Sequence, residues 1–255
     1  MLFAVDIGNT QTAIGMFNGT QTPVYSARIA TNTAQTTDEL HVLIRSLLDI
    51  HAIEVSAIDH LIISSVVPAL TEQWTDLGSV LHIRRVTVVN AQQCGDLAIK
   101  LEVPSEAGAD RLANAVGAKT RYGSPAIVVD FGTATNIDII DADGAYRGGV
   151  ISPGLETSAS ALFSHAARLC AVDLIAPKHV IGTSTKSAVQ SGLMFGEVAK
   201  VDGLVTRVIH ELGDTPVVIA TGGLAQTLAP MCSVVDHIDA DLTLFGLYAI
   251  AQQVD

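Results

Sequence analysis

The chain has 255 residues, 49% of them hydrophobic, and a formal net charge of −12. That length allows one large or two small domains with filled cores, and the acidic balance argues against nucleic acid or an anionic membrane as partner. Its apolar stretches are short and broken by Gly, Asp or Ser, and it opens on a strand pattern rather than a basic region with a cleavage site. Neither a membrane span nor a signal peptide is therefore expected, and a cytoplasmic protein follows.

In chain order, hydropathy predicts strands over 2–6, 12–17 and 24–29 and a helix over roughly 38–50. That helix is well signalled, because Thr36-x-x-Glu39 is a capping box and Leu40, Leu43, Ile44, Leu47 and Leu48 fall on one face. A buried strand at 60–67, a helix near 70–81, a strand at 86–89 and a helix at about 106–121 follow. The order then restarts with strands at 126–130 and 135–141, an Asp141-Ala142-Asp143-Gly144 turn and a short strand to Gly148-Gly149. Helices at about 155–170 and 185–211, a strand at 216–220, a helix after Gly223 and a terminal helix over 241–253 complete the pattern. We place the domain boundary near 117, giving halves 1–117 and 118–255, without a Pro- or Ser-rich linker.

The chemistry sits at the ends of two of these strands, in Asp6-Ile7-Gly8-Asn9-Thr10 and, 124 residues later, Asp130-Phe131-Gly132-Thr133-Ala134. In each, the glycine lets backbone approach a phosphate, amides and hydroxyls can bond its oxygens, and the aspartate can hold a cation or a water. A single such segment is equally an ordinary tight turn. Two of them, with the strand that runs into Thr221-Gly222-Gly223 as a seat for adenine and ribose, outline a nucleotide cleft between two similar halves.

An acceptor also needs activating, and Gly108-Ala109-Asp110-Arg111, at or just inside a helix start, supplies a carboxylate that can take a proton and a cation that can bind a substrate carboxylate or phosphoryl group. The same pair can also be a helix-surface ion pair. Asp138 could hold a magnesium-bound water, and Lys186 and Arg147 could meet phosphates or simply be solvated. Gly192 and Gly196 read as close helix packing. The eight histidines form no ligand spacing, and Cys94, Cys170 and Cys232, far apart, read as inert half-buried thiols.

Taken together, Asp6-Ile7-Gly8-Asn9-Thr10, Gly108-Ala109-Asp110-Arg111, Asp130-x-Gly132-Thr133-Ala134, Gly148-Gly149-x-Ile151-x-Pro153-Gly154-Leu155, Ala188-x-Gln190-Ser191-Gly192 and Thr221-Gly222-Gly223 resemble, in order, the motifs of the type III pantothenate kinases. The resemblance runs almost end to end and implies the duplicated ribonuclease H-like fold of the actin, Hsp70 and sugar kinase superfamily, two similar domains around a nucleotide cleft. It implies ATP-dependent phosphorylation of pantothenate on its terminal hydroxyl, the first committed step toward coenzyme A. By the matching motifs, Asp6, Ile7, Gly8, Asn9, Thr10, Gln11, Thr12, Ala13, Thr133, Gly222 and Gly223 contact ATP. Gly108, Ala109, Asp110 and Arg111 hold pantothenate with Asp110 as base, Thr185 adds a contact, Asp130 holds a monovalent cation (K⁺ or NH₄⁺), and Asp6 is assigned to Mg²⁺. The family is typically homodimeric, with the substrate site at the subunit interface.

The chain departs from the family pattern at Asn136, where Thr is usual, at Val189, usually Met, at Thr183 and Ser184, often Arg and Asn, and at Val103, where some members have Tyr. These touch the pantothenate pocket more than the nucleotide site. Two other readings are an actin-like ATPase, which the short length disfavours, and a catalytically silent relative with an accessory or regulatory role, which intact Asp6, Asp110, Arg111 and Asp130 disfavour.

Overall fold

The computed structural model describes residues 1–166 and 169–254. Its elements are β1 (Leu2–Ile7), β2 (Gln11–Phe17), β3 (Tyr25–Ala30), α1 (Thr37–Ile50), β4 (His60–Ser65), α2 (Pro68–Val80), β5 (Arg85–Val88) and α3 (Ala109–Tyr122). After these come β6 (Ala126–Phe131), β7 (Ala134–Ile140), β8 (Tyr146–Pro153), α4 (Leu155–His165), α5 (Thr185–Leu212), β9 (Val217–Thr221), α6 (Ala225–Leu228), β10 (His237–Ile238) and α7 (Leu242–Ala251).

Packing divides the chain into Met1–Arg121 with Asp241–Asp255, and Tyr122–Ala240. The expected boundary at 117 thus moves to the end of α3, and the terminal helix returns to the first unit. The reason is composition: α7, Leu-Thr-Leu-Phe-Gly-Leu-Tyr-Ala-Ile-Ala, is apolar all round and so must be buried on every side.

In the first unit the sheet order is β3-β2-β1-β4-β5, with β1, β2 and β3 antiparallel and β1, β4 and β5 parallel. Phe3, Val5 and Ile7 point from β1 to one face, where Leu40, Ile44 and Leu48 of α1 and Leu70, Trp74 and Leu77 of α2 complete a core. The capping box at the start of α1 forms in both halves: Thr36 accepts from the Glu39 amide and Glu39 accepts from the Thr36 amide. The alternate face takes α7, with Gly15 of β2 leaving room for Leu244.

The second unit repeats the topology: β8-β7-β6-β9-β10 has β6, β7 and β8 antiparallel and β6, β9 and β10 parallel. Position by position, β6 corresponds to β1, β7 to β2 and β9 to β4. Ile127, Val129 and Phe131 of β6 pack with Leu155 and Ala159 of α4 and Met194, Val201 and Val205 of α5. Three expectations shift here. Strand β8 runs on to Pro153, α4 stops at His165, and the helix after Gly223 is one short turn followed by a 3-10 turn at Ala229–Met231. Part of the helix expected to run to 170 falls on residues 167 and 168, outside the described residues.

Helices α3 and α7 cross at glycines. A Cβ on Gly117 would lie 2.8 Å from the Leu242 carbonyl, and one on Gly246 would collide with the Ala113 carbonyl. Backbone cannot step aside as a side chain can, so Gly246→Ala should lower unfolding free energy by about 1–3 kcal/mol, read as a lower melting temperature.

His60 is buried between β4 and β5, its Nε2 2.9 Å from Thr87 Oγ1. Burial, helped by the charge of Arg85, pushes its pKa down to about 4. Unfolded histidine titrates near pH ~6.5, so between those values the unfolded chain binds a proton that the fold refuses. Stability should fall as pH drops through that window, by up to about 1.4 kcal/mol per pH unit. Urea unfolding at pH 7 and pH 5 measures it, and His60→Asn should flatten the slope.

Candidate active site

Strand β1 delivers Asp6 and Ile7 to a reversal through Gly8, Asn9 and Thr10, after which β2 begins at Gln11. The Gly8 amide donates to the Gln11 carbonyl at 3.1 Å, and a Cβ on Gly8 would lie 2.9 Å from that same oxygen, so the turn requires glycine. Ile7 and Thr12 are buried, Gly8 and Ala13 are half-buried, and Asn9, Thr10 and Gln11 are exposed. Ile7 therefore anchors the turn in the core, while Asn9 to Gln11 present it to solvent.

Asp6 lies in register with Ser64 of β4 and Ala13 of β2. The fully buried Ser64 hydroxyl donates to Asp6 Oδ1 at 2.8 Å, which orients the carboxyl group. Thr31, immediately after β3, donates its amide to the Thr10 carbonyl at 3.0 Å and its hydroxyl to the Gly8 carbonyl at 2.8 Å. Neither Ser64 nor Thr31 was singled out from the sequence. A serine ending an apolar strand is a weak signal for the first, and nothing local marks the second.

Asp110 stands in the first turn of α3, and the Arg111 amide donates to its Oδ1 at 2.8 Å. A Cβ on Gly108 would come within 2.6 Å of that oxygen, so the glycine makes room for the carboxylate. Burial pushes the Asp110 pKa up, opposed by the Arg111 amide and its cationic side chain. The group is a carboxylate held in a poorly solvated place beside a cation, which increases its avidity for a proton. Ala109 is buried in the core behind it.

In the second unit Phe131 faces Thr135 across the hairpin, whereas Ile7 faces Thr12 in the first. The second reversal, Gly132 to Ala134, is thus one residue shorter than Gly8 to Gln11. The exposed Thr133 has its carbonyl bonded twice, by the Gly154 amide at 3.1 Å and the Thr157 hydroxyl at 2.6 Å. A Cβ on Gly154 would collide with the Gly132 carbonyl, which accounts for the glycine after Pro153.

Asp130 occupies the position of Asp6, with Thr221 of β9 in the place of Ser64 and Asn136 of β7 in the place of Ala13. Residues in register share a sheet face, so Thr221, Asp130 and Asn136 form one row of oxygen-bearing side chains. Thr221 Oγ1 and Asn136 Oδ1 are both buried and make no hydrogen bond. Gly222 has φ of 94°, and a Cβ there would collide with Asp130 Oδ1. Gly223 is exposed beside it.

The remaining candidates have surroundings of their own. Asp138 is wholly buried and accepts the Tyr146 hydroxyl at 2.9 Å, which makes it a core carboxylate. Arg147 pairs with Asp141 at 3.6 Å and Lys186 with Asp173 at 3.7 Å. Thr185 opens α5 and lines an apolar groove of about 640 Å³ with Ser158, Leu162 and Leu193. Gly192 and Gly196 do not mark close packing, since a Cβ on either meets nothing within 4 Å. Burial pushes the Cys232 thiol up to about 12 and raises that of Cys94, while Cys170 is exposed. Among the described residues no three His, Cys, Asp or Glu side chains converge as a metal site, and no helix is long and apolar enough to cross a membrane.

The positive φ and the Asp130 contact make Gly222→Ala doubly costly, roughly 1–3 kcal/mol of stability. Gly192→Ala, in an open helical position, should be neutral or slightly stabilising. Thermal melts of the two variants provide the comparison.

Residues 2–207 match the type III pantothenate kinase family. A type III pantothenate kinase of Desulfosudis oleivorans is 42% identical over 256 residues, covering 100% of both chains. One of Thermomicrobium roseum is 42% identical over 247 residues, covering 97% of this chain and 95% of its own. Among solved structures, the activator of the 2-hydroxyisocaproyl-CoA dehydratase of Clostridium difficile, with bound ADPNP, superposes with a TM-score of 0.58 at 12% identity, covering 99% of this chain and 95% of that one. That likeness carries the fold, the duplicated α/β architecture of actin-like ATPases and sugar kinases. By the family match over residues 2–207 and its similarity over the full length to a type III pantothenate kinase, the chain belongs to the type III pantothenate kinase family.

Proposed function

We infer that the chain phosphorylates pantothenate with ATP, the entry reaction of coenzyme A biosynthesis, and that its two Asp-x-Gly turns bind the nucleotide. The observation that carries the site assignment is the equivalence of those turns: each follows the central strand of its sheet, with an aspartate one residue before the strand end. We assign Asp6 to Ala13, Thr133, Gly222 and Gly223 to ATP, and Gly108 to Arg111 with Thr185 to pantothenate. Ile7 and Thr12 act in this reading through the turn backbone, because both side chains are buried.

Phosphoryl transfer asks chiefly for alignment and charge neutralisation. Asp110 would accept the proton of the pantothenate hydroxyl as its oxygen attacks the γ-phosphorus. The desolvation that raises its pKa makes it a better acceptor than an exposed aspartate. Arg111 would hold the pantothenate carboxylate, supplying the cation that an acidic protein otherwise lacks.

Two ions belong to this reading. A single carboxyl ligand, Asp6, suits Mg²⁺, which keeps several waters and takes its remaining ligands from phosphates. The row at Asp130 suits a monovalent cation: one carboxylate flanked by two buried oxygens without hydrogen-bond partners, Thr221 Oγ1 and Asn136 Oδ1. A cation there would add positive charge beside the phosphates. We also read the protein as a cytoplasmic homodimer, with exposed Ile151, Val180 and Ile181 as apolar surface for a second copy; a monomer in sizing would remove this part.

Chromatographic quantification of ADP formed from ATP and Mg²⁺ tests the function. Release should require pantothenate and K⁺, and Na⁺ should not replace it. Release without pantothenate would point to an ATPase, and no release to a silent relative. Asp110→Asn should cut turnover by about 10²–10⁴-fold with substrate binding largely kept. Because the base must be ionised, activity should fall as pH drops through a midpoint above the ordinary aspartate value of 3.8. An unchanged rate in Asp110→Asn would remove Asp110 from the base role.

A further inference from the structure

In a closed two-residue hairpin turn, the two flanking residues exchange both backbone hydrogen bonds. The first turn here makes only one. The Gly8 amide donates to the Gln11 carbonyl, but the reverse bond, from the Gln11 amide to the Gly8 carbonyl, is not formed. The Gly8 carbonyl is taken instead by the Thr31 hydroxyl at 2.8 Å. Thr31 also captures the Thr10 carbonyl with its amide at 3.0 Å, so one residue holds two carbonyls of the turn to the same side.

The peptide unit is planar and trans, so a carbonyl pinned one way turns the N–H of the next residue the opposite way. Pinning Gly8 C=O and Thr10 C=O therefore directs the Asn9 and Gln11 amides away from Thr31, and both residues are exposed. Register supports this for Gln11: Thr10 and Thr31 form the bonded pair with β3, so the neighbouring Gln11 amide faces the other way.

The Thr31 oxygen lies 3.0 Å from Thr12 Oγ1. Thr31 has one hydroxyl hydrogen and gives it to Gly8, so Thr12 must be the donor between them. Buried Thr12 thereby fixes the rotamer of Thr31. In the second turn a hydroxyl pins a different carbonyl, the one at the tip. The second turn, one residue shorter, closes through the Gly132 amide, which donates to the Ala134 carbonyl at 3.0 Å. The Thr157 hydroxyl, with the Gly154 amide, pins the Thr133 carbonyl, which turns the Ala134 amide the opposite way.

We propose that Thr31 and Thr157 are positioning residues that fix the peptide orientation of the two turns, so that the Asn9, Gln11 and Ala134 amides are presented to nucleotide phosphates. The proposal rests on the reading of these turns as the ATP site. Neither hydroxyl touches the nucleotide in this account. Thr31 occupies the carbonyl that would otherwise close the first turn on the Gln11 amide, and Thr157 occupies a tip carbonyl that would otherwise face a phosphate and repel it.

The test measures calorimetric binding of ADP and of adenosine to the parent protein, Thr31→Val, Thr31→Ser, Thr157→Val and Thr157→Ser, with steady-state kinetics alongside. Each valine variant should lose about tenfold in ADP affinity, the scale of one hydrogen bond to the binding geometry, with adenosine affinity unchanged. The KM for ATP should rise in step while kcat and the KM for pantothenate hold, and each serine variant should restore parental values. A valine substitution that only loosened the fold would lower the melting temperature and the active fraction without this split between ADP and adenosine. Parental ADP affinity in both valine variants would overturn the proposal while leaving the nucleotide site standing. Equal losses for ADP and adenosine, or a failure of serine to rescue, would also overturn it. Failure of the parent protein to bind ADP would overturn the site assignment and the proposal together.

Discussion

Each unit depends on one parallel strand pairing, β1 with β4 and β6 with β9, because that pairing decides what stands beside the aspartate at the end of the central strand. Parallel ladders are buried on both faces and leave little room for an uncompensated polar group. The charge can be tolerated only at the strand end, where the ladder gives way to a turn. In the first unit the neighbouring strand supplies Ser64, whose hydroxyl bonds Asp6. In the second it supplies Thr221, whose hydroxyl makes no hydrogen bond, and the antiparallel neighbour supplies Asn136 in place of Ala13. The same scaffold thus places one aspartate beside a donating serine hydroxyl and the other between the Thr221 and Asn136 oxygens, which make no hydrogen bond.

The glycines follow from the same crowding. Gly8, Gly154 and Gly222 stand where backbone, or a carboxylate, comes too close for any side chain. Gly108 stands where Asp110 folds back on its own helix start. Elsewhere glycine answers helix contact, as at Gly117 and Gly246, where α3 and α7 approach to backbone distance. The glycines of α5 answer neither need within this chain, and Gly192 opens onto the groove that Thr185 also lines.

Much of the fold was legible in the sequence. Strand and helix patterns restarted after residue 121, and the sheets do repeat one topology, strand for strand. The capping box at Thr36 and Glu39 formed as its spacing required, since capping is decided within four residues. The terminal helix was expected in the right place but in the wrong unit: hydropathy shows that α7 must be buried, yet not against what. The short strand β10 was missed, because two exposed residues, His237 and Ile238, carry no alternating pattern and pair only because β9 offers an edge. Among site candidates, Asp138 and Arg147 looked available in sequence and are committed locally, to Tyr146 and Asp141.

The amino-acid sequence by itself determined the duplicated order of elements, the two Asp-x-Gly turns, the Gly108 to Arg111 segment and, through six motifs in order, the family. These are local features, set by spacing along the chain, where residue type and backbone conformation are tightly linked. Only the tertiary structure decided that Ser64 bonds Asp6, that Thr221 and Asn136 flank Asp130, and that Thr31 and Thr157 pin the turn carbonyls. Those partners lie 58 residues from Asp6, 23 from Gly8 and 24 from Thr133. A hydroxyl has no preferred partner until strand register and a neighbouring element bring a carbonyl or carboxylate within hydrogen-bond reach.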